Sequence, residues 1–175
     1  MVSAFRSSSE EEGRPVDPFE PEGTGIPIDQ TRTKFHGKEE KDYQGRSWIV
    51  APSDVKPVDN PHSYLPKKTI HKWTGHTGPV QCIEFFPVTG HLLISGGNDT
   101  KVKIWDVFNK RNVKRTYMGH TAEVRWVAFS SDGTTFLSAS FDRNIKLWDT
   151  ETGKCIGNYS KGSIPFQSVW APTDP

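Results

Sequence analysis

The sequence predicts an all-β fold, assembled from a repeated four-stranded unit and preceded by an extended or disordered leader. Three observations carry that reading. A six-residue phrase recurs nearly unchanged, GHTGPV at 75–80 and GHTAEV at 119–124. Short runs rich in β-branched and aromatic residues, separated by turn signals, fill the chain after Tyr64. Residues 1–66, in contrast, are poor in periodic apolar positions and rich in proline and glycine.

The leader comes first. RPVDPFEPEGTGIPID packs four prolines and two glycines into sixteen residues. Such a segment buries too little surface to offset the entropy of ordering it. Residues 1–66 are therefore expected to be largely disordered. One aromatic and apolar island interrupts them, DYQGRSWIV at 42–50. Tyr43, Arg46 and Trp48 in it are candidate partner-binding residues of a docking segment. The alternative is that the island folds back on its own domain.

Charge is nearly balanced over the 175 residues, 22 basic against 21 acidic, so no global charge points to a partner. The balance conceals an acidic leader with 8 Lys/Arg against 12 Asp/Glu, and a mildly basic body with 14 against 9. Cys82 and Cys155 are too few for a disulfide scaffold and lack metal-ligand spacing, which favours a reducing compartment. No stretch approaches the roughly 18 apolar residues of a membrane helix. MVSAFRSSSEEEGRP has no apolar core and is not expected to act as a secretory signal.

In the body, TIHKW (69–73) precedes the first GHT. Strand-like runs follow at VQCIEFF (80–86), HLLIS (91–95), KVKIWDV (101–107) and VKRTYM (113–118). The cycle then repeats at VRWVAF (124–129), TTFLSAS (134–140), IKLWD (145–149) and KCIGNYS (154–160). Gly75, His76, Val80, Ile83 and Phe85 map to Gly119, His120, Val124, Val127 and Phe129 at an offset of 44. Past the first turn the offset is 43, mapping Gly90 to Gly133, Ser95 to Ser138, Asp99 to Asp142 and Trp105 to Trp148. The one-residue slip falls in a turn, where insertions are tolerated best. SVWAPTDP (168–175) begins a third copy.

A period near 43 with GH early and WD late resembles the WD40 repeat, whose four-stranded blades form a β-propeller. The resemblance implies a partial WD40 β-propeller: two four-stranded blades plus the first strand of a third. The repeats run about 67–106 and 111–149, a third begins near 154, and residues 67–175 form one incomplete propeller. TIHKW is expected as an outer strand. A ring of about seven such units needs roughly 300 residues, so the chain reads as a fragment. Ile83, Phe85, Leu93, Ile104, Val127, Phe129, Phe136, Leu137 and Leu147 are expected in the blade core.

His76, Ser95 and Asp99, like His120, Ser138 and Asp142, hold the residue types of a hydrolase triad. The trio occurs twice, in step with the repeat, each time with a Trp six residues after the Asp. An active site gains nothing from being copied per blade. The resemblance instead implies two structural tetrads, His76–Ser95–Asp99–Trp105 and His120–Ser138–Asp142–Trp148, in which Asp holds His, His holds Ser and Ser meets the indole nitrogen. No catalytic residue, metal ligand or cofactor is expected. Asn98 and Phe141 beside the tetrad Asp, and Gln81 and Arg125 at the start of the inner strands, are candidate partner-binding residues. Lys110, Arg111, Lys114 and Arg115 in KRNVKR are candidate RNA or phosphate contacts, although a charged outer strand guarded against edge pairing explains the same run. His71 and His91 receive no role.

A narrower resemblance covers roughly residues 31–175. YQGRSW and YLPKK lie outside the repeat consensus. Together with GHLLISGGNDTKVKIWDV and FLSASFDRNIKLWDTETGKCI they are similar to a family of WD-repeat splicing factors of the spliceosome, needed for the second catalytic step. That resemblance implies a non-catalytic scaffold in the nucleus, with spliceosomal proteins as partners, proximity to snRNA or pre-mRNA, no membrane and no small-molecule substrate. The alternative is a WD40 adaptor of another complex, such as a ubiquitin-ligase substrate receptor.

Overall fold

The computed structural model describes residues 30–41, 43–53, 65–160 and 162–171. Nine strands are assigned among them: β1 (Arg32–Phe35), β2 (Val80–Phe85), β3 (Leu92–Gly97), β4 (Lys101–Asp106), β5 (Val113–Met118), β6 (Val124–Phe129), β7 (Thr135–Ser140), β8 (Asn144–Asp149) and β9 (Cys155–Ser160). No helix among the described residues is long and apolar enough to cross a membrane.

All pairings are antiparallel, in two sheets ordered β1-β5-β4-β3-β2 and β6-β7-β8-β9. The repeat in the letters is a repeat in the ladders. Each inner strand carries an irregularity at its start, between Val80 and Cys82 and between Val124 and Trp126. Each third strand carries one beside its Trp, at Ile104/Trp105 and Leu147/Trp148. The turn glycines Gly90 and Gly133 both take positive φ, 60° and 72°. The tight turns after Asp99 and Asp142 put Thr100 and Arg143 at φ 64° and 68°. The aspartates hold those turns by accepting from Lys101 N (3.4 Å) and Asn144 N (2.9 Å), the Asx arrangement that lets a short polar residue brace a bend.

The core lies between the sheets. Ile94, Val102, Ile104 and Tyr117 on one face of the first sheet meet Val124, Val127, Phe129, Phe136 and Trp148 on the facing side of the second. Tyr117 sits edge-on to Phe136 (4.8 Å) and Trp148 (5.5 Å), and its hydroxyl donates to Thr150 O at 2.8 Å. Burial of the phenol pushes its pKa well up. Burying each such side chain stabilises by about 1.5–3 kcal/mol. Glu84 enters the seam: it accepts from Phe129 N at 2.9 Å, and burial raises its pKa.

The all-β, two-blade architecture is the one the repeat implies, with differences at its margins. Part of the leader is structured: β1 lies against the outer edge of β5, pairing Arg32 with Met118 and Phe35 with Arg115. A free strand edge offers unpaired backbone groups, and β1 satisfies them. The expectation of disorder for residues 1–29 and 54–64, and Asp42 of the island, lie outside the described residues. TIHKW forms no strand, and neither do residues 168–171, because no described strand lies beside either to complete a ladder. Residues 172–175 lie outside the described residues. Ser168 is nevertheless buried, and Trp170 Nε1 donates to Ala128 O on β6 at 3.3 Å. Finally, Ile83 and Phe85 are not core: they are 62% and 57% exposed, since β2 faces the second sheet with Cys82, Glu84 and Phe86 instead.

Candidate functional site

The four tetrad positions converge in both repeats, because the ladders fix their spacing. Ser95 and Trp105 stand one strand apart on the same face, with Leu93 opposite Trp105 and Ser95 opposite Lys103. The loop before β2 brings His76 down onto them. His76 Nδ1 donates to Asp99 Oδ1 (2.8 Å), His76 Nε2 pairs with Ser95 Oγ (2.8 Å), and Trp105 Nε1 donates to Ser95 Oγ (2.7 Å). The second copy reproduces this: His120 Nδ1 to Asp142 Oδ2 (2.8 Å), His120 Nε2 with Ser138 Oγ (2.7 Å), Trp148 Nε1 to Ser138 Oγ (2.8 Å). The second carboxylate contact is to the loop backbone, Thr77 N at 3.2 Å and Thr121 N at 3.1 Å.

Electrostatics follow burial. Desolvation alone would raise both aspartates. The hydrogen bonds and charge of His76, with the Thr77 and Lys101 amides, outweigh it and hold Asp99 below the usual carboxylate range. His120, Asn144 and Thr121 do the same for Asp142. Nδ1–H of each histidine donates to its Asp and Nε2 meets the serine Oγ, which brings together the groups of a hydrolase triad. Access differs. Ser95 is 3% and Ser138 0% exposed, and an indole N–H already donates to each Oγ.

The rim candidates come together as pairs at equivalent positions. Gln81 Nε2 donates to Asn98 Oδ1 at 2.8 Å. In the second repeat Arg125 lies over Phe141 (5.4 Å) and also over Phe166 (4.5 Å). The backbone closes each pair, Asn98 N to Pro79 O (2.9 Å) and Phe141 N to Glu123 O (3.0 Å), so the loop before the inner strand and the β3–β4 or β7–β8 turn share one rim.

The leader island divides. Tyr43 is 90% exposed and Arg46 is exposed. Trp48 folds back: it packs against the core cluster, lies 5.8 Å from Phe35, and its Nε1 reaches Glu151 O at 3.4 Å. Its apolar ring gains more from that cover than from solvent. The basic run divides too. Arg115 is buried at 3%, not a surface phosphate contact. Its guanidinium pairs with Glu40, donates to Thr33 Oγ1 (3.3 Å) and Thr152 O (3.1 Å), and lies over Phe35 and Trp48. A planar five-donor fork between two rings suits that place, and so the leader claims it. Lys114 pairs with Asp106 at 3.4 Å. Lys110 lines a cleft of about 770 Å³ between the leader and the β4–β5 turn, and Arg111 lines a smaller one of about 390 Å³ with His36, His71 and Lys72. No group of three or more His, Cys, Asp or Glu suited to a metal ion occurs among the described residues. Burial pushes the Cys82 thiol up to about 11 and raises Cys155 as well, which leaves both unreactive.

Two residues that sequence reasoning missed hold the leader. His91, 4% exposed, accepts from Thr89 Oγ1 (2.7 Å) and donates through Nε2 to Ile49 O (2.7 Å). Burial lowers its pKa. Glu40 holds Arg115 across 75 positions. Neither carries a local signal, because each partner is distant in the chain.

Comparison with known proteins places this geometry. The family model for the WD domain, G-beta repeat, matches residues 67–106 and 111–149. Pre-mRNA-processing factor 17 of Mus musculus is 46% identical over 150 residues, covering 83% of this chain and 26% of the relative. The protein of that name from Saccharomyces cerevisiae is 43% identical over 147 residues, covering 81% and 32%. Protein tipD of Dictyostelium discoideum is 36% identical over 97 residues, covering 55% and 16%. The chain thus spans about a quarter to a third of the length of the pre-mRNA-processing factor 17 proteins that it matches. Two GH-to-WD units, two hydrogen-bonded tetrads and the matching model make the chain a member of the WD40-repeat family, similar over most of its length to pre-mRNA-processing factor 17.

Proposed function

We propose that the chain is a non-catalytic scaffold element of the spliceosome, acting in the nucleus in pre-mRNA splicing, at the second catalytic step, through protein contacts of its WD40 blades. One observation carries this reading. Similarity to pre-mRNA-processing factor 17 spans about 150 residues, well beyond the two repeats, whereas the likeness to Protein tipD covers 55% of the chain. Matching of segments outside the repeats separates a splicing relative from a WD40 protein at large.

In this reading the tetrads are structural pins. A serine nucleophile must be reached by its substrate, and these two are sealed between strands with an N–H aimed at the attacking oxygen. The Gln81–Asn98 and Arg125–Phe141 pairs form the rim that meets protein partners, since an aromatic with an arginine over it is the composition of an interface anchor. Tyr43 and Arg46 extend that contact from the leader. Lys110 and Arg111 supply the contact to RNA phosphates, with Lys114 partly neutralised by Asp106.

The test is affinity capture from nuclear extract. Tagged chain recovers spliceosomal proteins and small nuclear RNAs, and an Arg125→Ala, Phe141→Ala double variant recovers several-fold less. Recovery of ubiquitin-ligase subunits, or of cytosolic proteins alone, refutes the splicing assignment.

A further inference from the structure

The turn between β4 and β5 carries charges that the repeat itself does not require. Its counterpart is the turn between β8 and β9: Asp106 N donates to Asn112 O as Asp149 N donates to Lys154 O. The second turn reads TETGK and the first VFNKRN. Gly153 takes φ 77° just before the closing residue, a conformation natural to glycine, and Arg111 takes φ 51° at the same place. An arginine there is strained, and such strain is kept where a side chain is needed.

Two clefts open on that turn and run into one another. The larger, of about 770 Å³, lies between the leader and the turn. The smaller, of about 390 Å³, holds Arg111, and both are lined by His36, Asn112 and Val113. Lys38, Lys41, Arg46 and Lys110 line the larger cleft. Among the described residues its carboxylates are Glu39, Glu40 and Asp106. Glu40 is engaged by Arg115, and Asp106 by Lys114 and by the amides of Phe108 (3.0 Å) and Asn109 (2.9 Å). The described lining of the smaller cleft holds no carboxylate. His36, at the junction, has its pKa lowered by burial and then by the charges of Lys103 and Lys34, the mark of a cationic field.

We infer that this groove takes the sugar–phosphate backbone of a single RNA strand, with Lys38 and Lys41 of the leader as one wall and Lys110 and Arg111 of the β4–β5 turn as the other. The assignment rests on the RNA contact proposed for Lys110 and Arg111, and adds the leader to it. Cations spread along two connected clefts suit a polyanion rather than one phosphate. A peptide fits less well, because the place at this sheet edge where it would add as a strand is taken by β1 on β5. The Phe35 and Trp48 rings carry the Arg115 guanidinium instead of a base, so the contact lacks a stacking platform there and is independent of base sequence.

Fluorescence anisotropy of the purified chain with a labelled oligouridine, titrated with salt, tests this. Four phosphate contacts give a slope of log K against log salt of about −2.8, roughly a 50-fold loss of affinity over a fourfold rise in salt. Lys38→Ser with Lys41→Ser halves the slope to about −1.4, roughly a sevenfold loss, and so does Lys110→Ser with Arg111→Gly. The glycine relieves the strained turn, so that variant melts no lower than the parent. Lys101→Ser with Arg143→Gly removes two charges at the β3–β4 and β7–β8 turns, beyond the opposite ends of β4 and β8, and keeps the parent's slope. Should the leader serines lower the melting temperature, Lys38→Gln with Lys41→Gln takes their place. An unchanged slope in the leader variant, while the turn variant halves it, overturns the inference and spares the turn contact. A parent that does not bind the oligouridine overturns both. Tighter binding of an oligoglutamate of equal charge, with the same dependence on Lys38 and Lys41, overturns the RNA assignment in favour of an acidic peptide.

Discussion

Ser138→Ala separates a structural tetrad from a catalytic one. Ser138 Oγ is the hub of its network: it meets His120 Nε2 at 2.7 Å and accepts from Trp148 Nε1 at 2.8 Å, with Ser138 itself 0% exposed. Removing it leaves two buried polar nitrogens without that partner. Each orphan costs about 1–3 kcal/mol, and about 1 kcal/mol is regained because no hydroxyl is buried, giving a net loss of ~3 kcal/mol. For a domain of this size that lowers Tm by roughly 10 °C. Urea denaturation followed by tryptophan fluorescence, beside thermal melting, reads the loss. Ser131→Ala, at an exposed turn position, stays within about 0.5 kcal/mol of the parent and is the control. A variant with unchanged Tm that has lost a hydrolytic activity of the parent refutes the reasoning.

The remaining predictions probe other links. Gly90 and Gly133 occupy equivalent turns with positive φ, but a Cβ on Gly90 meets nothing within 4 Å, whereas one on Gly133 falls 2.2 Å from the Phe86 ring. Gly90→Ala therefore costs only backbone strain, about 1 kcal/mol, and Gly133→Ala costs visibly more; equal losses on denaturation contradict this. Arg115→Lys keeps the charge but forfeits the fork among Glu40, Thr33 and Thr152, and lowers stability by about 1–3 kcal/mol without weakening capture of RNA. Lys110→Glu with Arg111→Glu does the reverse. His91 has a folded pKa below its ordinary 6.5, so its contribution is complete above pH 6.5 and is lost as pH falls through the folded value. Docking of the island at Ile49, followed by Trp48 fluorescence, loosens over that range and stays constant in His91→Asn. Asp99 and Asp142, held below 3.8, add a second loss at more acidic pH, of the same sign.

How much of this was legible in the letters depends on the range of the interaction. The tetrads were, through the resemblance to the WD40 repeat, and ladder register is the physical reason that the implied contacts form: it brings a serine and a tryptophan ten residues apart together across one hairpin. The rim pairs were legible as positions and not as bonds. Ile83 and Phe85 were misplaced because an apolar pattern says which face seeks cover, not whether cover is present. RTKF carries no alternation long enough to announce a strand, and β1 exists only because β5, some 80 positions later, offers an edge. Distance along the chain also hid His91 with Ile49, 42 positions apart, and Glu40 with Arg115, 75 apart. Arg115 looked like one more cation in a basic run. Only its register opposite Phe35 turns it inward.

Hydrogen exchange at the indole N–H protons of Trp105 and Trp148, followed by nuclear magnetic resonance, tests the central claim most directly. If the repeated His, Ser, Asp and Trp side chains lock the blades together, both protons exchange only on global unfolding, while the partly exposed Trp170 exchanges orders of magnitude faster. Exchange of Trp105 and Trp148 as rapid as that of Trp170, in a chain that is still folded, contradicts it.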